Sequence, residues 1–442
     1  LSDTKFISGN MNLNAFGGDY PSQFSQFIRF DPALVKDANN YANQLTSTGK
    51  LLQQTPYLPY ISGRVDERLY DAYLMAAIDI GKLNIVGGVR MDSSQATVRQ
   101  DINNSVTLSD GSKIGLVKLG VPTTFNMTNY LPRLALNYRF TDDLVLRGGY
   151  FMSIARPNPA SMSIDRYVTY IQGSNGSQDI AWVNEGNPKL KPSFSHNFDL
   201  GIERYSDQLG VISANVFYKR ILNFIYGARS NFTSSAYGLQ TVRDLMAQIP
   251  GAPPVPDDVS ISFNTYANGK PGTIYGTELN YSQQFTGLPG AWKGFGFRAN
   301  LTFQKSRTNL VINYGSSSLP LPLTALIPAT FFSAPSYIGN VVLTYNRFGL
   351  DANLSYSFQG KELLSPEKYY LHGYLQPNGE LDLAVKYQLP GVKNVQLYFN
   401  GNDLLNNGHK TQSFQTIGSS NANLSSADFM GKSFSVGFSI RL

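Results

Sequence analysis

From Phe194 to Tyr218 the chain alternates between greasy and polar positions. Phe194, His196, Phe198, Leu200 and Ile202 share one parity; Ser195, Asn197, Asp199, Gly201 and Glu203 share the other. Period-two alternation places apolar groups on one face of a β-strand and polar groups on the opposite face. After the turn at Ser206-Asp207-Gln208 the pattern resumes. Ile212, Ala214, Val216 and Tyr218 oppose Ser213, Asn215 and Lys219, with Phe217 as the exception. This predicts an antiparallel hairpin, wet on one side and greasy on the other.

The same design recurs to the last residue. Tyr70–Ile80 turns at Gly81-Lys82 into Leu83–Met91, and Leu134–Phe140 turns at Thr141-Asp142-Asp143 into Leu144–Ile154. Leu279–Phe285 and Phe295–Phe303 are joined by GLPGAWKG, and Val341–Tyr345 and Leu350–Phe358 by Asn346-Arg347-Phe348-Gly349. Leu381–Leu389 and Val395–Phe399 pair across Pro390-Gly391-Val392, and Phe434–Leu442 closes the chain. About thirteen strands of roughly ten to fourteen residues result. Residues 1–66 show no sustained alternation and are expected to be a loop region on the extracellular side; residues 67–442 carry the strands.

Short turns alternate strictly with loops of roughly fifteen to fifty residues, so all short turns lie at one end and all long loops at the other, as in outer-membrane barrels. Ten residues at about 3.4 Å, tilted by about 40°, cover roughly 26 Å, close to the apolar band of such barrels. Charge obeys the parity: Arg133, Arg139, Arg147, Arg298, Lys386, Arg441, Asp351, Asp382 and Glu278 all fall on the polar face. An Arg or Lys facing lipid at mid-membrane costs about 2–4 kcal/mol. The expected fold is all-β: a transmembrane antiparallel up-and-down β-barrel. The alternative is a soluble β-sandwich, which would bury Leu354, Leu383 and Phe438 between two stacked sheets.

Thirteen is odd, whereas closed bacterial barrels carry an even count. An unpaired first strand would leave backbone groups open in hydrocarbon, at several kcal/mol each. The start, Leu1-Ser2-Asp3, is neither an initiator methionine nor a signal peptide. The chain is therefore expected to be the C-terminal part of a longer barrel.

Composition narrows the classes further. Aromatics are 13% and charged residues only 15%, a balance suited to lipid headgroups rather than to a soluble surface. Without cysteine there is neither disulfide nor thiolate metal site. No apolar run reaches the ~18 residues of a membrane helix. The net charge of +6 is spread along the chain, so no nucleic-acid partner is expected. His196, His372 and His409 lie far apart, which predicts no metal site and no cofactor, and no residues group as a catalytic set. His196 is expected in an interfacial aromatic belt.

The stretch EGNPKLKP, FDLGIERY and NVFYKRILNFI resembles the C-terminal barrel of TonB-dependent outer-membrane receptors. SIARPNPASM at Ser153–Met162, GTELNYSQQF at Gly276–Phe285, LYFNGNDLLNN at Leu397–Asn407 and the terminal FSVGFSIRL agree in the same order, although the usual last residue is Phe and here it is Leu442. The resemblance implies a barrel of twenty-two strands, of which this chain would be the C-terminal part. It implies an N-terminal plug domain, not recognisable in this chain, and a coupling box pulled by TonB-ExbB-ExbD. It also implies the outer membrane of a Gram-negative bacterium, with its lipid as the surroundings.

The reading that follows is part of a receptor for energy-coupled uptake of a scarce nutrient. A carbohydrate or similar compound is favoured over a ferric siderophore, since the loops lack a dense basic cluster. A passive channel or adhesive barrel without a plug is the alternative; an outer-membrane enzyme ranks below both. Tyr167, Tyr170, Asn175, Trp182 and Asn184 form an aromatic and amide-rich loop suited to stacking on sugars and bonding their hydroxyls; packing of the loop itself would explain the same residues. Arg90, Arg133, Arg139, Arg147 and Arg298 face inward, either to hold plug carboxylates or simply to hydrate the lumen.

Overall fold

The computed structural model describes residues 64–440 except for 100–101, 119, 164–165, 175–176, 208, 234–235, 250, 315–322, 366–372, 393–394, 406–412, 418–422 and 429–430, together with the short pair Met11–Asn12 and Arg29–Phe30. The expectation for residues 1–66 thus lies almost wholly outside the described residues.

All thirteen expected strands are present. They are β1 (Arg64–Ile80), β2 (Leu83–Arg99), β3 (Thr123–Arg139), β4 (Leu144–Ala155), β5 (Ser193–Ser206), β6 (Gly210–Leu222), β7 (Gly272–Gln284), β8 (Phe295–Tyr314), β9 (Tyr337–Arg347), β10 (Leu350–Gln359), β11 (Asn378–Gln388), β12 (Val395–Asn402) and β13 (Ser433–Ile440). Each pairs antiparallel with its sequence neighbour in one up-and-down sheet, and Leu323–Ala329 adds a strand to the outer end of β8. Among the described residues β1 and β13 do not pair with each other, so the sheet is open.

Register carries the parity from strand to strand. Leu146 faces Ile202, Leu200 faces Val216, Leu279 faces Leu301, Leu343 faces Leu354, Leu354 faces Leu383, and Phe399 faces Val436. A slip of one residue would move a whole strand's apolar set to the wrong face. Leu354, Leu383 and Phe438 lie on this one face, and Phe438 is 66% exposed, so no second sheet covers it. The sandwich is excluded.

Phe217, the exception in β6, lies directly opposite Gly276 and covers it on the polar face. Tyr398 covers Gly437 in the same way, and Phe358 covers Gly339 on the apolar face. A side chain at these glycines would collide with the ring, so each pair is one packing unit.

Several strands run past the expected length. β1, β2 and β3 have 17 residues and β8 has 20. Beyond Met91 and Tyr130, which face one another, the outward parity turns polar: Ser93–Thr128 (3.0 Å), Gln95–Asn126 (3.1 Å) and Thr97–Thr124 (2.8 Å) join β2 to β3. The inward parity is covered there, with Asp92, Ser94, Ala96 and Val98 buried and Phe125 and Met127 on the same side, so the alternation reverses its sense although the ladder continues.

The long connections are not irregular either. Those after β2, β4 and β6 together build a six-stranded sheet in the order Ile225–Thr233, Ser260–Asn268, Ile180–Glu185, Arg166–Ile171, Ile102–Thr107, Lys113–Lys118. Two of its pairings are parallel and join different loops. Helix α1 (Ala236–Met246) packs on one face. Leu239, Val242, Leu245 and Met246, spaced as one helical face, bury themselves against Val106, Val168, Ala181, Val183 and Ile261. This cap has its own hydrophobic core. Tyr170 is fully buried in it; its phenol donates to Asp179, which also accepts from the Gly173 N–H at 2.8 Å. Burial, then the Asp179 bond, push the phenol well above its ordinary value.

Two outcomes follow for the cap. Leu245→Ala, at a side chain 2% exposed, should cost about 2–5 kcal/mol, read as faster hydrogen exchange throughout the cap strands with β4–β8 unchanged. Because the folded phenol is raised, its contribution is complete below the unfolded tyrosine value of about 10 and is lost as pH climbs above it. Trp182 fluorescence, read in a Trp292→Phe background, should therefore report cap loosening above pH ~10, and Tyr170→Phe should flatten that dependence.

Candidate functional site

The polar face of the sheet is bonded as a wall. Asp79, Asn84, Asn137 and Arg147 lie opposite one another across β1–β4. Asn84 donates to Asp79 (2.8 Å), Asn137 to Asn84 (3.2 Å), and Arg147 to both Asn137 (2.9 Å) and Glu203 (2.9 Å). Higher on the same face Asp71 and Asp92 are direct cross-strand neighbours. Two opposed carboxylates repel, and two guanidiniums neutralise them. Arg90 lies 3.0 Å from Asp71 and 3.9 Å from Asp92, and Arg156 forks onto Asp92, its Nε donating at 3.2 Å. Asp92 is 2% exposed, a position untenable for a lone charge. A cavity of about 900 Å³ opens over this cluster, with Arg133, Asn137, Ser153 and Tyr73 in its lining.

A second cavity of about 900 Å³ separates the cap from the mouth of the sheet. Its floor is the polar parity of β4–β6 (Ala155, Ser193, Ile221) and its roof is the face of the cap sheet turned away from α1. Tyr167, Asn184 and Asn264 line that roof, with Tyr266 and Arg156 at the sides. The Asn264 amide donates to the Asn184 side-chain carbonyl oxygen at 2.8 Å, a bond that uses one of the pair's four N–H donors and leaves the Asn264 carbonyl oxygen as an acceptor. The vestibule thus offers two phenols and an amide pair beside a neutralised ion cluster. This arrangement suits a small molecule bearing hydroxyls.

The predicted residues divide accordingly. Tyr167 and Asn184 face each other across two cap strands and share the vestibule, and Trp182 is on the same sheet face beside Thr169 and Ser262. Tyr170 is a correction: with no exposed surface it belongs to the cap core, because its neighbours in register put it on the helix side. Asn175 lies outside the described residues. Of the arginines, Arg90 and Arg147 are already engaged within the wall. Arg133, Arg139 and Arg298 are exposed and, among the described residues, their side chains have no hydrogen-bond or ion-pair partner. His196 lies on the apolar face, its Nδ1 3.0 Å from the Tyr150 hydroxyl, while His372 and His409 fall outside the described residues.

Sequence reading missed the Asp71–Asp92–Arg156 cluster and the Asn264–Tyr266 side of the vestibule. The parity of Asp71 and Asp92 was legible; Arg156 reaches them only because the β4–β5 connection folds inward. Asn264 and Tyr266 come from a different loop, and only the cap's parallel pairing with Ile180–Glu185 brings them to Asn184.

Comparison with known proteins agrees with this architecture. The family described as "TonB dependent receptor-like, beta-barrel" matches residues 2–404. Among solved structures, a mutant ferric enterobactin receptor of Pseudomonas aeruginosa with enterobactin bound is 16% identical, with a TM-score of 0.52 over 86% of this chain and 54% of its own. The copper transporter OprC gives 0.52 at 16% identity over 85% and 48%. The ferric yersiniabactin uptake receptor FyuA of Yersinia pestis gives 0.50 at 14% over 87% and 48%. The chain thus spans about half the length of the structures it resembles. No relative was found among curated proteins. One wet and one greasy parity, kept in register across thirteen antiparallel strands under a folded loop cap, places this chain in the TonB-dependent receptor β-barrel family of outer-membrane proteins.

Proposed function

We propose that this chain is the substrate-facing wall and cap of an energy-coupled outer-membrane importer, and that its vestibule receives a small, hydroxyl-bearing molecule. The observation that carries the reading is the cavity between cap and wall, where Tyr167, Asn184 and Asn264 converge over the polar parity of β4–β6. The preference for a carbohydrate has no support from the solved relatives, whose names specify ferric chelates and copper. Phenols and amides meet sugar hydroxyls and the oxygen-rich rim of a chelate equally well, so the class is decided by measurement. Transport itself needs a plug and its TonB-ExbB-ExbD coupling, and these enter as parts of the whole receptor. The proposal makes the chain a non-enzyme, in keeping with a family of transporters.

Arg133, Arg139 and Arg298, which have no hydrogen-bond or ion-pair partner among the described residues, are proposed to hold plug carboxylates. Arg90 and Arg147 stabilise the wall instead.

Titration of the purified receptor with a ferric catecholate and with a neutral oligosaccharide should show one class binding. Tyr167→Ala with Asn184→Ala should weaken that binding by about 10–100-fold, the loss of one or two hydrogen bonds to a desolvated ligand. Unchanged affinity for both classes in the double variant sinks the vestibule. Arg133→Gln with Arg298→Gln should raise single-channel conductance in planar bilayers through a looser plug, each lost charge-assisted bond being worth about 1.5–3 kcal/mol. A receptor that imports at full rate without TonB would instead be the passive channel.

A further inference from the structure

On the apolar face the charged residues are few, and from β4 to β9 all of them are cationic. The outward parity of these strands contains no Asp or Glu among the described residues. It contains Arg220 on β6, Lys305 and Arg307 on β8, with Arg204 and Arg347 at the short-turn end. Arg204 is accounted for by Asp143, 3.2 Å away, and Arg347 lies over the Phe348 ring at 4.7 Å. Arg220, Lys305 and Arg307 are exposed and, among the described residues, their side chains have no anionic or hydrogen-bonding partner.

Register brings the three together. Thr273 lies between Arg220 on one side and Arg307 on the other, so the two guanidinium-bearing backbones are about 10 Å apart at ~4.8 Å per strand. His196 continues the row beyond Arg220. The next row toward the membrane centre is Tyr150, Phe198, Tyr218 and Tyr275, ending on Lys305. Its rings contact one another at 5.0 and 6.3 Å. His196, Arg220 and Lys305 each stand ten residues from the short-turn end of their strands. At ~3.4 Å per residue and ~40° tilt that is roughly 26 Å, the far edge of the apolar band. An uncompensated cationic row thus lies directly above an aromatic belt, at the long-loop edge of the hydrocarbon.

We propose that this row is a docking site for a phosphorylated glycolipid of the outer leaflet. One phosphate sits over Thr273 between Arg220 and Arg307, a second anionic group meets Lys305, and the acyl chains run down over Tyr218, Tyr275 and Phe303. The paired cations attract phosphate by charge, and the absence of any carboxylate on the outward parity of β4 to β9 among the described residues leaves them available for it. The site rests on the outward face meeting lipid, and it is independent of which nutrient the vestibule receives.

Native mass spectrometry of the detergent-purified protein, titrated with bis-phosphorylated lipid A, tests the site. The wild type should bind the lipid, and enzymatically dephosphorylated lipid A should bind much more weakly. Arg220→Gln with Arg307→Gln should weaken binding about 30-fold, at roughly one unit of attraction per lost cation near an anionic headgroup. Arg220→Lys with Arg307→Lys should recover most of it, and Arg204→Gln with Arg347→Gln, an equal charge change at the opposite rim, should leave it unaltered. Heat-modifiable gel mobility confirms that each variant remains a barrel. Equal binding of the dephosphorylated lipid or of phosphatidylglycerol, or wild-type binding by the Gln pair, overturns the assignment. Failure of the folded Lys pair to recover does the same. Ligand titration at the vestibule is read separately, so either result stands without the other.

Discussion

The structure depends on each strand meeting two solvents at once. Backbone groups cannot be left unpaired in hydrocarbon, so every strand must be laddered on both sides. Side chains of opposite character must then leave the ladder on opposite faces. This constraint makes register the most valuable quantity in the fold. Leu343, Leu354 and Leu383 align across three strands because any slip would push Asp351 or Asp382 into lipid. The polar wall is the same constraint seen from inside, where Asn84, Asn137 and Arg147 bond sideways because water alone would leave them loosely held.

Where the lipid ends, the rule relaxes and the architecture changes with it. Above Met91 and Tyr130 the strands continue as polar zippers, and beyond them three connections leave the sheet to form a cap. The cap lives in water and is held by a buried core of its own, with α1 on one side of a mixed sheet. Its free side is polar and roofs the vestibule. A rigid roof above a hydrogen-bonded wall holds Tyr167 and Asn184 in place, which loops held only by their ends would not do.

The exceptions to the parity rule are the informative positions. Phe217 breaks the pattern to cover a glycine. Arg220, Lys305 and Arg307 break it where apolar band gives way to headgroup, a depth at which a cation on the outer face is favourable rather than costly. Asp92 keeps the rule but is buried, and it is tolerated through Arg156, a residue from a connection rather than from a strand.

The amino-acid sequence by itself determined the thirteen strands, their short turns, the common end of the long loops and which face is greasy. All of these are local: period-two alternation is written residue by residue, and a two-residue turn needs only its own glycine, as at Gly81. The strand extensions escaped because the alternation reverses there: the outward parity turns polar, and the inward parity holds Ala96, Val98, Phe125 and Met127. The cap, the burial of Tyr170 and the meeting of Asn184 with Asn264 were decided only by tertiary structure. They rest on pairings between different loops, two of them parallel and joining segments 64 and 80 residues apart, and the hydrophobic burial that selects such pairings acts between loops and leaves no periodic trace within any one of them.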